Sequence, residues 1–122
     1  MIELNIPNNA AIMLLLERMQ SEFDMRARKG NYAGLQLIDL DPSELYEIAE
    51  IAAFDLVFML PAEIYEEENN LCEIITKAMH GISEKFGNNV FDDFTEERAA
   101  NLVRPIKNLI LTSNKKNIHI HN

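Results

Sequence analysis

The stretch DPSELYEIAEIAAFDLVFML, residues 41–60, decides the fold that the sequence predicts. Asp41 is a favourable N-cap, because its carboxylate can accept a hydrogen bond from a free amide of the first helical turn. Pro42 suits the first helical position, where its missing N–H costs little. Glu44 stands where the acid of a capping box is found. From Leu45 to Leu60 only three residues are charged, so we expect a helix that is buried around most of its circumference.

This helix has the length of a small domain and is not a membrane span. At about 1.5 Å per residue it would be roughly 27 Å long, so it can serve as the central helix of the fold. Its uninterrupted apolar run, Leu56 to Leu60, is far shorter than the stretch of about 20 apolar residues that a spanning helix needs. The sequence therefore predicts no membrane association.

Three further helices are predicted around it. The first runs from about Ala10 to Lys29, with apolar residues at helical spacing along one side and Gly30 just past its end. The next covers Leu71 to Phe86, with Asn70 as its cap and Gly87 in the turn that ends it. Thr95 caps the last helix, which Pro105 either kinks or splits. The prediction is a mostly α, single-domain bundle of about four helices over residues 1–122.

Short segments with alternating side chains leave an α+β variant open. Leu35 to Asp39, Met1 to Ile6 and Asn117 to His121 could each be a strand, and together they would form a small terminal sheet. Otherwise residues 112–122 are a flexible tail, which is the usual state of a polar terminus.

The negative charge is concentrated in the middle of the chain. The net charge is −9, and the span from Gly30 to Thr76 contains eleven acids but no Lys or Arg. Direct binding to nucleic acid is disfavoured, because phosphate contacts need a basic face. Three interpretations of the acidic block remain: a solvated face that is partly neutralised by the basic helices on either side, a docking face for a basic partner, or a site for a divalent metal.

The other reactive residue types suggest no catalytic centre. Cys72 is the only cysteine, so no intrachain disulfide can form and a reducing, cytoplasmic location is expected. It is best interpreted as a small buried hydrophobe rather than a nucleophile. His119 and His121 lack a third metal ligand at suitable spacing. The N-terminal MIELNIPNN shows no signal-peptide pattern. We therefore predict no cofactor, no metal and no catalytic residue.

One pattern of acids points to an alternative. Glu47 and Glu50, and then Glu63 and Glu66, are pairs three residues apart, which places each pair on one face of a helix. This resembles the all-α nucleotide pyrophosphohydrolases, which place an E-x-x-E pair on one helix and E-x-x-D on the next; Glu66 here stands where that family has Asp. The resemblance implies a hydrolase whose paired carboxylates hold Mg²⁺ against the phosphates of a nucleotide.

The leading hypothesis is a non-catalytic, acidic protein-interaction module that docks a basic surface of a partner protein. Because such surfaces often bind nucleic acid, an inhibitor or a nucleic-acid mimic is a natural special case. The alternatives are the metal-dependent hydrolase and an assembly subunit that closes an apolar stripe in a homodimer. The predicted partner-binding residues are Glu44, Glu47, Glu63, Tyr65, Glu66, Glu67 and Glu68.

Overall fold

Four α-helices and one short 3-10 turn make up the described part of the fold. The computed structural model describes residues 6–60 and 67–120, with side chains through residue 109. The helices are α1 (Asn8–Arg28), α2 (Pro42–Phe58), α3 (Glu68–Phe86) and α4 (Glu96–Ile120), and the 3-10 turn is Leu37–Asp39. The prediction of a mostly α bundle of four helices is confirmed.

The helices form a closed ring in which each one packs against two neighbours. α1 packs on α2 and α3, and α4 packs on the other sides of the same two helices. α2 is therefore one wall of the bundle and not a central helix. Its inner stripe is buried, including Leu45, Ile48 and Ala52, but its outer side leaves Phe54 and Phe58 exposed. The prediction that α2 is buried around most of its circumference is wrong on this outer side.

The core is made by the apolar stripes that helical spacing predicts. Ile12, Leu15, Met19 and Phe23 of α1 are all buried. They belong to one core cluster with residues of α3, α4 and the turn between them, which include the fully enclosed Met79, Ile82, Phe91, Val103 and Ile106. No helix in the described part of the chain is both long and apolar enough to cross a bilayer.

The ends of the helices agree with the sequence in part. Thr95 caps α4 as predicted, because its Oγ1 accepts a hydrogen bond from the Arg98 amide at 3.2 Å. Gly87 follows α3 in the left-handed conformation, at φ 70°, which glycine adopts without strain. Asp41 precedes α2, but its side chain makes no capping hydrogen bond.

Two of the predicted capping arrangements are wrong. Glu44 does not complete a capping box at the start of α2; its Oε2 is buried and has no hydrogen-bond partner within the described residues. α3 begins at Glu68, so Asn70 lies inside its first turn instead of capping it.

The small sheet of the α+β variant is not formed by the described residues. Leu37–Asp39 is a 3-10 turn, because the Asp39 carboxylate accepts the Gln36 amide at 2.8 Å and closes the chain locally. α4 runs through Pro105 and extends to Ile120, so residues 112–120 are helical. Pro105 and Asn101 are both exposed, so water can bind the carbonyl that the proline leaves without a donor. Met1 to Asn5 lie outside the described residues, and the flexibility of the tail stays a prediction.

Candidate functional site

Two of the four carboxylates of α2, those of Glu47 and Glu50, are bound by arginines from the helices on either side. Arg26 of α1 donates from Nη2 to Glu47 Oε1 at 3.0 Å and from Nε to Glu22 at 3.1 Å. Arg98 of α4 lies 3.7 Å from Glu50 Oε1. Glu47 is thus paired with α1 and Glu50 with α4, so these two acids join α2 to both of its neighbours.

Arg26 is held in place by an aromatic stack. Its Nη1 donates to the Tyr32 hydroxyl at 3.3 Å, and the Tyr32 ring stacks on Phe23 with 5.2 Å between centroids. The hydrogen bond to Tyr32, followed by those to Glu22 and Glu47, raises the pKa of Arg26 although burial opposes this. The guanidinium is therefore a fixed positive charge, and Glu47 is neutralised by a rigid partner.

Tyr46 connects α2 to the turn that precedes α4. Its hydroxyl donates to Asp93 Oδ1 at 2.7 Å, and its ring meets Phe91 edge-on at 5.2 Å. The Arg98 guanidinium lies over the same ring, 4.3 Å from its centroid, at cation–π distance. Burial and the Asp93 carboxylate raise the pKa of Tyr46 to about 12. Tyr46 and Tyr32 are therefore half-buried structural residues, not exposed tyrosines on a docking face.

The turn before α4 extends the acidic region, which the sequence reasoning missed. The sequence predicts that Thr95 caps the last helix, but the acids around it in DDFTEE, residues 92–97, are not among the predicted partner-binding residues. The four acids of this segment, Asp92, Asp93, Glu96 and Glu97, are exposed, and none has a basic group within 4 Å in the described part of the chain. The contacts of Tyr46 and Glu50 hold this segment against α2. We define the acidic surface by its residues, which are Glu47, Glu50, Asp92, Asp93, Glu96 and Glu97.

The predicted partner-binding residues fall into three groups. Glu47 and Glu68 are in internal ion pairs; Glu68 lies 3.2 Å from Arg104 and 3.8 Å from Lys107. Glu44 and Glu67, at the starts of α2 and α3, are half-buried and have no ion pair with another described residue. Glu63, Tyr65 and Glu66 lie outside the described residues.

The described residues with metal-binding or nucleophilic side chains show no arrangement suited to that chemistry. No group of three His, Cys, Asp or Glu residues in the described ranges is arranged to hold a metal ion. Cys72 is buried, as predicted, and burial raises the pKa of its thiol. His80 contacts the carbonyl oxygen of Phe94 through Nε2 at 2.9 Å. Glu63 and Glu66, the second acid pair of the hydrolase alternative, lie outside the described residues.

A second surface, apolar rather than acidic, lies on the outside of α1 and α2. The Phe54 and Phe58 rings stack with 6.4 Å between centroids, and each is at least 40% exposed. Met59 follows them, and Leu14 and Met25 of α1 are exposed as well. These five residues, Leu14, Met25, Phe54, Phe58 and Met59, are named the α1/α2 face.

Comparison with family models, curated proteins and solved structures finds no match to this chain.

Proposed function

We propose that the chain is a non-catalytic protein-interaction module that docks a basic surface of a partner protein through its acidic surface. The observation that supports this is the set of exposed carboxylates at residues 92–97 that have no basic group within 4 Å among the described residues. Like charges held together without neutralisation destabilise the free protein and are relieved by a partner of opposite charge. The segment is also held in place by Tyr46, so little conformational entropy is lost when a partner binds.

The internal ion pairs refine which of the acids are available to a partner. Glu50 is already beside Arg98, whereas Asp92, Glu96 and Glu97 have no such contact within the described ranges. The predicted residues Glu66 and Glu67 precede α3 in the sequence and would add negative charge. Glu68 contributes less, because Arg104 already lies beside it. A partner with clustered Lys and Arg, such as a protein that itself binds nucleic acid, has the chemistry that fits.

The test is affinity capture from lysate with the immobilised full chain, followed by binding measurements on the retained protein. Charge reversal by Asp92→Lys/Glu97→Lys should weaken its affinity about tenfold or more, since like charges across an interface cost several kcal/mol. The matched control is Glu17→Lys/Asp24→Lys on α1, which changes the net charge equally. Circular dichroism melts check that both variants fold.

Docking through the acidic surface is tested by how binding depends on salt and on where the charge is reversed. Binding through the acidic surface should weaken from about 0.15 M salt, where the Debye length is about 8 Å, to about 1 M, where it is about 3 Å. Glu66→Lys/Glu67→Lys tests whether these two predicted residues also contribute to partner binding, and it leaves the Glu68 ion pairs intact. Equal loss of affinity in the α1 control, or binding that salt does not change, would refute docking through this surface.

A thermal melt separates this proposal from the Mg²⁺-dependent hydrolase. A metal at 100 times its dissociation constant should raise the free energy of unfolding by about 2.7 kcal/mol. If Mg²⁺ produces such a shift and Glu47→Gln removes it, the paired glutamates bind metal and the docking proposal loses its non-catalytic premise. We expect Mg²⁺ to leave the melting temperature unchanged, because Arg26 already neutralises Glu47.

A further inference from the structure

The α1/α2 face consists of exposed apolar residues on two neighbouring helices. Phe54 and Phe58 are one turn apart on α2, and Met59, next to them, is 63% exposed. On α1, Arg18 follows Leu14 by four residues and Met25 follows it by eleven, so all three lie on one side of the helix. Large apolar residues grouped on an exposed surface mark interaction sites in soluble proteins.

The charged groups along this face are not paired with one another. Arg18 donates from Nη2 to the Met59 sulfur at 3.0 Å, a weak acceptor, instead of to a carboxylate. Arg28 and Asp55 line the same shallow concavity as Arg18 and Met25. None of Arg18, Arg28 and Asp55 has an ion pair within the described ranges. Two bases on α1 and one acid on α2 therefore lie at the edge of an apolar patch.

We infer that the α1/α2 face is the interface of a two-fold symmetric homodimer. In such an interface each residue pair occurs twice, so the face must complement itself. A two-fold axis that sets α1 of one copy against α2 of the other brings Arg18 and Arg28 near Asp55 of the second copy. The phenylalanines and methionines of both copies are then buried between these pairs. Aromatic residues, Met and Arg are the types enriched at the centres of interfaces.

A second copy fits this face because its unpaired charges are of both signs, so each of them can meet an opposite charge on the other copy. The chain has a net charge of −9, but the edge of this face carries two unpaired bases and one unpaired acid among the described residues. The unpaired carboxylates of the acidic surface lie elsewhere, at the turn before α4, and at about 0.15 M salt their repulsion is screened beyond about 8 Å. The inference goes beyond the proposed docking function and does not rest on it.

Sedimentation equilibrium of the full chain, from micromolar to millimolar concentration, tests the dimer. Phe54→Ala/Phe58→Ala should raise the dimer dissociation constant about tenfold or more, as truncation of buried aromatic residues at the centre of an interface does. A matched pair gives the control: Met59→Gln should weaken the dimer, whereas Met13→Gln should not, although Met13 is 64% exposed and Met59 63%. A monomer at every concentration, or equal weakening by both methionine variants, overturns the inference.

Charge exchange tests the two-fold arrangement itself. Asp55→Arg alone places Arg against Arg in both pairs, and Arg18→Asp/Arg28→Asp alone places Asp against Asp, so each variant should be largely monomeric. Mixed together, the two variants restore opposite charges in both pairs and should form a heterodimer. Circular dichroism confirms that each variant is folded. If either variant dimerises like the wild type, or the mixture fails to associate, the proposed interface is refuted.

Discussion

The close contact between α1 and α3 provides a sharp test of the packing. Gly81 lies in the middle of α3, where helix propensity alone predicts that alanine would be more stable by about 1 kcal/mol. In the folded protein, however, a Cβ at this position would lie 2.8 Å from Cγ1 of Ile12 and still closer to its Cδ1. Ile12 is buried, so its side chain has little room to move away.

We therefore expect Gly81→Ala to destabilise the protein. Inserting a methyl group into a packed core costs about 1–3 kcal/mol, and the gain in propensity offsets about 1 kcal/mol of this. The net loss in the free energy of unfolding is then about 1 kcal/mol, which lowers the melting temperature by about 4 °C for a domain of this size. Urea and thermal unfolding followed by circular dichroism measure both quantities.

A double-mutant cycle with Ile12→Ala isolates the contact. Ile12→Ala removes the two atoms that the added methyl group would approach, so in that background Gly81→Ala should stabilise by about 1 kcal/mol through propensity. The coupling energy between positions 12 and 81 is then about 2 kcal/mol. If Gly81→Ala stabilises the otherwise unchanged protein by about 1 kcal/mol, the two helices do not pack as closely as the structure has them, and the reasoning fails.

Three further predictions concern buried polar groups. Ser83→Ala should lower the free energy of unfolding by about 1–3 kcal/mol, because Ser83 Oγ accepts the buried Phe91 amide at 2.7 Å; exposed Ser21→Ala is the control, and equal effects would contradict this. Cys72 should react with a thiol reagent near neutral pH far more slowly in buffer than in denaturant, since burial raises its pKa; equal rates would refute its burial. Tyr46 should ionise near pH 12 in an absorbance titration. Because this folded-state pKa exceeds the value of about 10 for free tyrosine, its stabilising contribution is complete below pH ~10 and is lost as the pH rises to about 12. Tyr46→Phe should remove that late step, and a titration curve unchanged by the substitution would contradict the assignment.

The local parts of the fold were predictable because they depend on neighbours in sequence. The buried seam of α1 follows from residues three and four apart. Thr95 begins α4 through its side-chain hydroxyl, and Gly87 ends α3 through its left-handed backbone conformation. The failures are local too. Glu44 and Asn70 have residue types that favour capping, but α3 starts at Glu68 and Glu44 Oε2 has no hydrogen-bond partner within the described residues.

The pairing of charges could not be predicted, because it depends on how the helices are arranged around the ring. Arg26 and Glu47 are 21 residues apart, and Arg104 and Glu68 are 36 apart. The sequence shows the basic helices and the acidic block but not which of them are adjacent. For the same reason the acids at residues 92–97 could not be assigned to the acidic region, since contacts distant in sequence, such as that between Tyr46 and Asp93, bring them to α2.

The excess hydrophobicity of α2 is the feature that the ring of helices leaves unexplained. A helix that forms one wall of a bundle needs a single apolar stripe, whereas a helix that is apolar on all sides is normally buried on all sides. α2 supplies its inner stripe with Leu45, Ile48 and Ala52 and yet carries Phe54 and Phe58 on its outer side. These two rings lie outside the core, on the surface that we infer to be the dimer interface. Association through the α1/α2 face should therefore persist at high salt, while binding to the acidic surface should not, so one salt titration distinguishes the two surfaces.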